Sequence, residues 1–213
     1  MRRPSRRAWV IANVLGGTGG LLAGILAGIV TAGVGFGLLI GLGLGLAQRH
    51  VLVRAMESQP AVQPRPRLRW WVAASAGVGI IPGWLILFIV ILGASNGGQP
   101  VTDNVTYVGG VLGPAALLGA IAGALAGGAA GAVHGWVLDQ SWPDGTRSVL
   151  RWSLISSLGW AAGWALTGAG TAAVLTAAGV GGGLSTALLI GGIGLLLGAW
   201  AVNGLITGRL LGR

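Results

Sequence analysis

Apolar residues run through this chain in six long blocks separated by short polar stretches. The blocks show neither the two-residue alternation of a half-buried strand nor the one-sided stripe of a soluble helix. Blocks of about 20 apolar residues are what a bilayer-crossing helix needs. The expected spans cover about 8–30, 33–53, 70–94, 114–138, 149–173 and 186–211. Between them lie a tight turn near Thr31, a linker over 54–69 holding Pro60, Pro64 and Pro66, and polar loops over 95–106 and 139–147. A glycine-rich turn over 177–185 precedes the last span. Pro82-Gly83 inside the third span predicts a kink, because proline frees a backbone carbonyl; the apolar run 85–92 beyond it is expected to meet lipid. The expected fold class is all-α: a single transmembrane domain over 1–213 made of six helices, paired into hairpins over about 8–54, 69–138 and 149–211.

Within the blocks, glycine recurs every fourth residue. The fourth block carries Gly119, Gly123, Gly127, Gly131 and Gly135. The first carries Gly16, Gly20, Gly24 and Gly28, and the second Gly33, Gly37, Gly41 and Gly45. On a helix this spacing lines the glycines along one stripe. A stripe without side chains lets another backbone approach closely, and in lipid such close packing drives helix association. In water each glycine would cost a helix about 1 kcal/mol against alanine. A bilayer offers the backbone no competing water, which removes that objection. The expectation is glycine-zipper packing.

Charge sharpens the picture. Only 8% of the 213 residues are charged, 54% are hydrophobic, and glycine occurs 43 times, about three times its usual share. All 13 basic residues are arginine. With six spans, every arginine falls on one side of the membrane: Arg2, Arg3, Arg6, Arg7, Arg49, Arg54, Arg65, Arg67, Arg69, Arg147, Arg151, Arg209 and Arg213. The other side holds only Asp103. The positive-inside rule then puts both termini in the cytoplasm. Trp9, Trp70, Trp71, Trp136, Trp142 and Trp152 fall near the same face, as an interfacial aromatic belt would. The net charge of +9 flanks apolar spans instead of forming a basic stripe on a soluble face, so the expected partner is anionic lipid headgroups on the cytoplasmic side and not nucleic acid. Ser5-Arg6-Arg7 loosely resembles a twin-arginine export signal, but the spans that follow favour an N-terminal anchor.

The hairpins look alike. Their entering helices read Trp9-x-x-x-Asn13, Trp71-x-x-x-Ser75 and Trp152-x-x-x-Ser156. Their returning helices read Gly41-x-x-x-Gly45-x-x-Gln48, Gly127-x-x-x-Gly131-x-x-His134 and Gly194-x-x-x-Gly198-x-x-Ala201, with His50, Trp136 and Asn203 two residues on. A repeat in which every hairpin starts on one side has its axis along the membrane normal. It also places Asn13, Gln48, Ser75, His134, Ser156 and Asn203 at similar depth, one or two turns from the cytoplasmic face. These six form a candidate polar cluster. The pattern resembles uncharacterised bacterial polytopic membrane proteins built of repeated glycine- and tryptophan-rich hairpins. The matching residues are Gly45-Leu-Ala-Gln48 and Trp152 with Gly159-Trp160. The resemblance implies a multi-pass protein of the bacterial inner membrane and brings no activity with it.

Reactive chemistry is sparse. Cysteine is absent, which excludes disulfides and thiolate chemistry. Absence of lysine excludes a Walker-type phosphate loop and Schiff-base catalysis. His50 and His134 have no metal-ligand spacing, and Gly16-Gly-Thr-Gly-Gly20 does not complete a dinucleotide fingerprint. Gly93-Ala-Ser95-Asn96 lacks the second glycine of an intramembrane serine-protease motif. Asn104-Val-Thr106 is a glycosylation sequon that matters only in a eukaryotic host. No catalytic residue, metal or cofactor is expected. The expected function is non-enzymatic: a structural or accessory subunit of a larger membrane complex, or a self-associating homo-oligomeric bundle. The alternative is a small-molecule transporter or substrate-binding membrane subunit with a cytoplasm-facing polar pocket. Its six spans resemble, in number and chain size, the vitamin-capture subunits of some bacterial importers.

Overall fold

The computed structural model describes residues 5–28, 34–57, 68–95, 104–139, 149–179 and 183–210. Among these the chain is all-helical: α1 (Arg6–Gly28), α2 (Val34–Glu57), α3 (Leu68–Ser95), α4 (Asn104–Asp139), α5 (Val149–Gly179) and α6 (Gly183–Thr207), closed by a 3-10 turn, Gly208–Leu210. Four of them, α1, α2, α4 and α6, are long and apolar enough to cross a membrane. The fifth is more polar, with Ser153, Ser156, Ser157, Thr167 and Thr176 among its tryptophans.

Two helices run further than proline and glycine signals predict. Pro114 does not begin α4 but sits inside it, and α5 continues past Ala173 to Gly179. A proline removes one backbone hydrogen bond, but the rest of the backbone still finds its best partners within the helix. α3 likewise continues through Pro82 to Ser95. The lipid contact expected of 85–92 falls mostly on side chains outside the described residues.

Each helix packs on its neighbours in sequence, and α1 packs on α6, so the six close into a ring. The starts of α1, α3 and α5 gather with the ends of α2, α4 and α6. Trp9 bonds Thr207 and Trp71 bonds Gln48, and a Cβ on Gly135 would lie 2.9 Å from the Val149 Cα. The described arginines, Arg6, Arg7, Arg49, Arg54, Arg69, Arg151 and Arg209, therefore occupy one end.

Glycines line most seams of the ring. On α1, Gly16, Gly20 and Gly24 face α2: added Cβ atoms would meet Ala47 Cβ at 2.8 Å, Ile40 Cα at 2.7 Å and the Phe36 carbonyl at 2.7 Å. On α2, Gly37, Gly41 and Gly45 turn to α3, where they meet the Gly79 and Ser75 carbonyls and, at 2.9 Å, Ser75 Cβ. On α4, Gly119, Gly123, Gly127 and Gly131 face α5, meeting the carbonyls of Trp164, Trp160 (2.6 Å), Ser156 (3.0 Å) and Trp152 (2.6 Å). Gly33 lies outside the described residues, as does the surrounding of Gly28. The third returning helix departs from the pattern, because no described residue of a neighbouring helix comes within 4 Å of a Cβ added at Gly194 or Gly198.

The core is a column inside the ring. On α2 it takes every fourth residue: Phe36, Ile40, Leu44, Gln48, Leu52 and Met56 are all buried. Three of these, Phe36, Ile40 and Leu44, belong to one apolar cluster with Trp160, Trp164 and, across the ring, Trp200. A second cluster, at the arginine end, holds Trp9, Leu52, Leu68, Trp71, Leu138 and Trp152. Trp9, Trp71 and Trp152 are therefore core residues and not members of an aromatic belt. Trp70 and Trp136, at 47% and 42% exposure, do face outward, and Trp142 lies outside the described residues.

Candidate functional site

Between the two apolar clusters lies a polar layer. Each helix contributes one residue to it: Asn13 from α1, Gln48 from α2, Ser75 from α3, His134 from α4, Ser156 from α5 and Asn203 from α6, none more than 3% exposed. A buried amide or hydroxyl needs a partner, since leaving one unpaired costs about 1–3 kcal/mol. The chain answers with tryptophan. One turn before Asn13 and Ser75, at the start of their helices, stand Trp9 and Trp71, whose indoles reach the same layer.

The Trp71 indole N–H donates to Gln48 Oε1 at 3.0 Å. An indole nitrogen can only donate, so it fixes the orientation of the Gln48 amide. Gln48 Nε2 then points at Asn13 Oδ1, 2.9 Å away. Asn13 Nδ2 in turn donates to the Trp9 carbonyl at 2.8 Å, a group that can only accept. Both ends of the relay thus dictate the same amide orientations. The Trp9 indole donates across the ring seam to Thr207 Oγ1 at 2.9 Å, and that hydroxyl donates to the Asn203 carbonyl at 2.8 Å. Asn203 Nδ2 approaches Asn13 Oδ1 at a longer 3.4 Å.

His134 joins by stacking. Its ring lies on Trp71 with centroids 3.8 Å apart and planes 12° from parallel. Its Nε2 is 3.2 Å from both Ser75 Oγ and the Trp71 carbonyl. With hydrogen on Nε2 the ring donates to the carbonyl; in the other tautomer it accepts from the serine hydroxyl. Among the described glycines, none makes its closest approach across the α3–α4 seam, so this stack takes the place of bare backbone there. Trp9 and Trp152 pack edge-on against Trp71 at 5.9 and 5.7 Å.

The structure therefore links Asn13, Gln48 and Asn203 directly, and Ser75 with His134. Ser156 lies in the layer but bonds to none of the others: its Oγ is buried without a hydrogen-bond partner. Sequence reasoning missed three participants, the indoles of Trp9 and Trp71 and the hydroxyl of Thr207. The Trp-x-x-x-polar spacing was the available signal, because residues four apart share a helix face. Among the described residues, no three His, Asp or Glu side chains gather as metal ligands. The layer holds amides, hydroxyls and one imidazole, groups that donate and accept hydrogen bonds. No protein-family model, curated protein or solved structure matches the chain.

Proposed function

We propose that this is a non-enzymatic bacterial inner-membrane protein in which all six helices cross the bilayer with both termini cytoplasmic, serving as a structural or accessory subunit. One observation carries this reading: polar groups point into the ring while large apolar side chains point out. Leu15, Leu22, Leu26, Leu125, Leu158 and Ile190 are each more than half exposed, an apolar surface too extensive for a soluble monomer. The gathering of the described arginines at one end supports the orientation, and headgroup phosphates are their counter-charge. The glycine contacts support a zipper that operates within one chain. A homo-oligomer or larger complex would then form through the outer apolar faces. The three hairpins are read as a repeat about the membrane normal, altered in its third returning helix.

The absence of native cysteine makes the topology directly testable. Arg54→Cys is expected to react with an impermeant maleimide only after the membrane is opened, and Thr102→Cys in intact cells. Reaction of both from outside would overturn the orientation. Crosslinking in native membranes is expected to capture a partner subunit or a second copy; recovery of the monomer alone would count against the accessory role.

A further inference from the structure

Polar atoms buried without any hydrogen bond are not scattered through the described residues. They are Thr18 Oγ1 on α1, Ser156 Oγ and Trp164 Nε1 on α5, and Trp200 Nε1 and Asn203 Oδ1 on α6. All five belong to the three consecutive helices α5, α6 and α1. The other three, α2, α3 and α4, carry the paired members of the layer, Gln48, Trp71, Ser75 and His134. Contacts relate the residues that carry these atoms, although Ser156 is itself rooted against α4, its Cβ 2.7 Å from a Cβ added at Gly131. The Trp164 and Trp200 rings meet edge to face at 5.7 Å. Trp200 sits against Gly17, next to Thr18. Asn203 Oδ1 lies 2.6 Å from where a Gly159 Cβ would be, one turn along α5 from Ser156.

Their chemistry is complementary to a guest. Two indoles only donate, one amide oxygen only accepts, and two hydroxyls do either. On α5, Ser156 and Trp164 are eight residues apart, which spans about 12 Å along the helix. Five unpaired groups in a low-dielectric core are costly unless something satisfies them. The orientation of Asn203 is not arbitrary: its Nδ2 faces the acceptor Asn13 Oδ1, which sends its oxygen toward α5. No Asp, Glu, Lys or Arg appears in the buried set, so the track has no charge with which to hold an ion.

We infer that the α5–α6–α1 side of the ring is a binding track for small neutral molecules that both donate and accept hydrogen bonds, with water as the smallest member and hydroxyl or amide compounds as the larger ones. A guest at the deeper end accepts from Trp164 or Trp200, and one at the polar layer donates to Asn203 Oδ1. Ser156 and Thr18 complete the contacts. The inference goes beyond the structural role proposed above and does not depend on it.

The test uses the full chain in lipid nanodiscs with nitrogen-15 in the indoles, the Trp164 and Trp200 signals being assigned with Trp164→Phe and Trp200→Phe. Magnetisation transfer from water to these two indole protons is expected if water fills the track. A shift of both signals on titration with formamide or glycerol, while the Trp9 and Trp71 indoles stay in place, identifies a larger guest. Absence of both responses overturns the proposal and leaves the indoles donating to aromatic faces. Ser156→Ala gives an independent readout that requires only a hydroxyl to be removed. An occupied track predicts a lower midpoint of thermal unfolding; an unchanged or raised midpoint counts against it.

Discussion

α4 and α6 both carry glycines at helical spacing, yet the two sets do different things. Every member of the α4 set from Gly119 to Gly135 meets α5 backbone or the root of an α5 side chain. On α6, Gly191, Gly194 and Gly198 meet nothing among the described residues, while Gly192 and Gly204 face α5 and α1. The difference lies in what stands opposite. α5 presents the carbonyls of Trp152, Trp160 and Trp164 to α4, and the indoles of those residues swing aside into the core. α6 instead inserts its own bulk, Trp200, against the bare backbone of Gly17 on α1. A glycine ladder thus marks a seam only when the partner offers backbone to fill it.

The sharpest way to break this contrast is Gly123→Val. The new side chain would run into the Trp160 carbonyl, which cannot move without moving α5. A loss of about 3 kcal/mol is expected, at the upper end of overpacking penalties, read as a large fall in the midpoint of thermal unfolding in nanodiscs. A smaller effect is expected from Ser157→Ala. That hydroxyl donates to the Ala124 carbonyl at 2.8 Å and so ties α5 to α4 beside the glycines. Interhelical bonds of this kind contribute about 0.6 kcal/mol, and a modest fall in midpoint would measure it. Gly198→Ala is expected to change stability by less than about 0.5 kcal/mol, because the added methyl displaces no described neighbour. A large loss at Gly198 would show that its open face is covered in the membrane.

The glycine spacing on α1, α2 and α4 was enough to find the faces that meet another helix, since a four-residue period and a missing side chain leave few alternatives. The same spacing on α6 marks no such face, because periodicity says nothing about the opposing surface. Helix limits at Pro114 and Ala173 were misread for a related reason: terminator signals are calibrated in water, where a freed backbone group finds a solvent partner. The polar layer was legible residue by residue, since each of Asn13, Gln48, Ser75, His134, Ser156 and Asn203 interrupts an apolar run. Its wiring was not. Trp9 and Trp71 near an arginine-rich end suit an interface as well as an interior, and only packing decides between them. The unpaired state of Ser156 and Asn203 Oδ1 depends on rotamers that no spacing encodes.

The joining of α1 to α6 has a consequence for how the protein is made. α1 is synthesised before α2 to α6, so its seam with α6 is covered only after those five helices have followed it. Trp9 must wait for Thr207, and Gly17 for Trp200. Until then that flank of α1 stands uncovered. Truncation within α6 should therefore expose α1 as well, and turn over the whole chain rather than its tail.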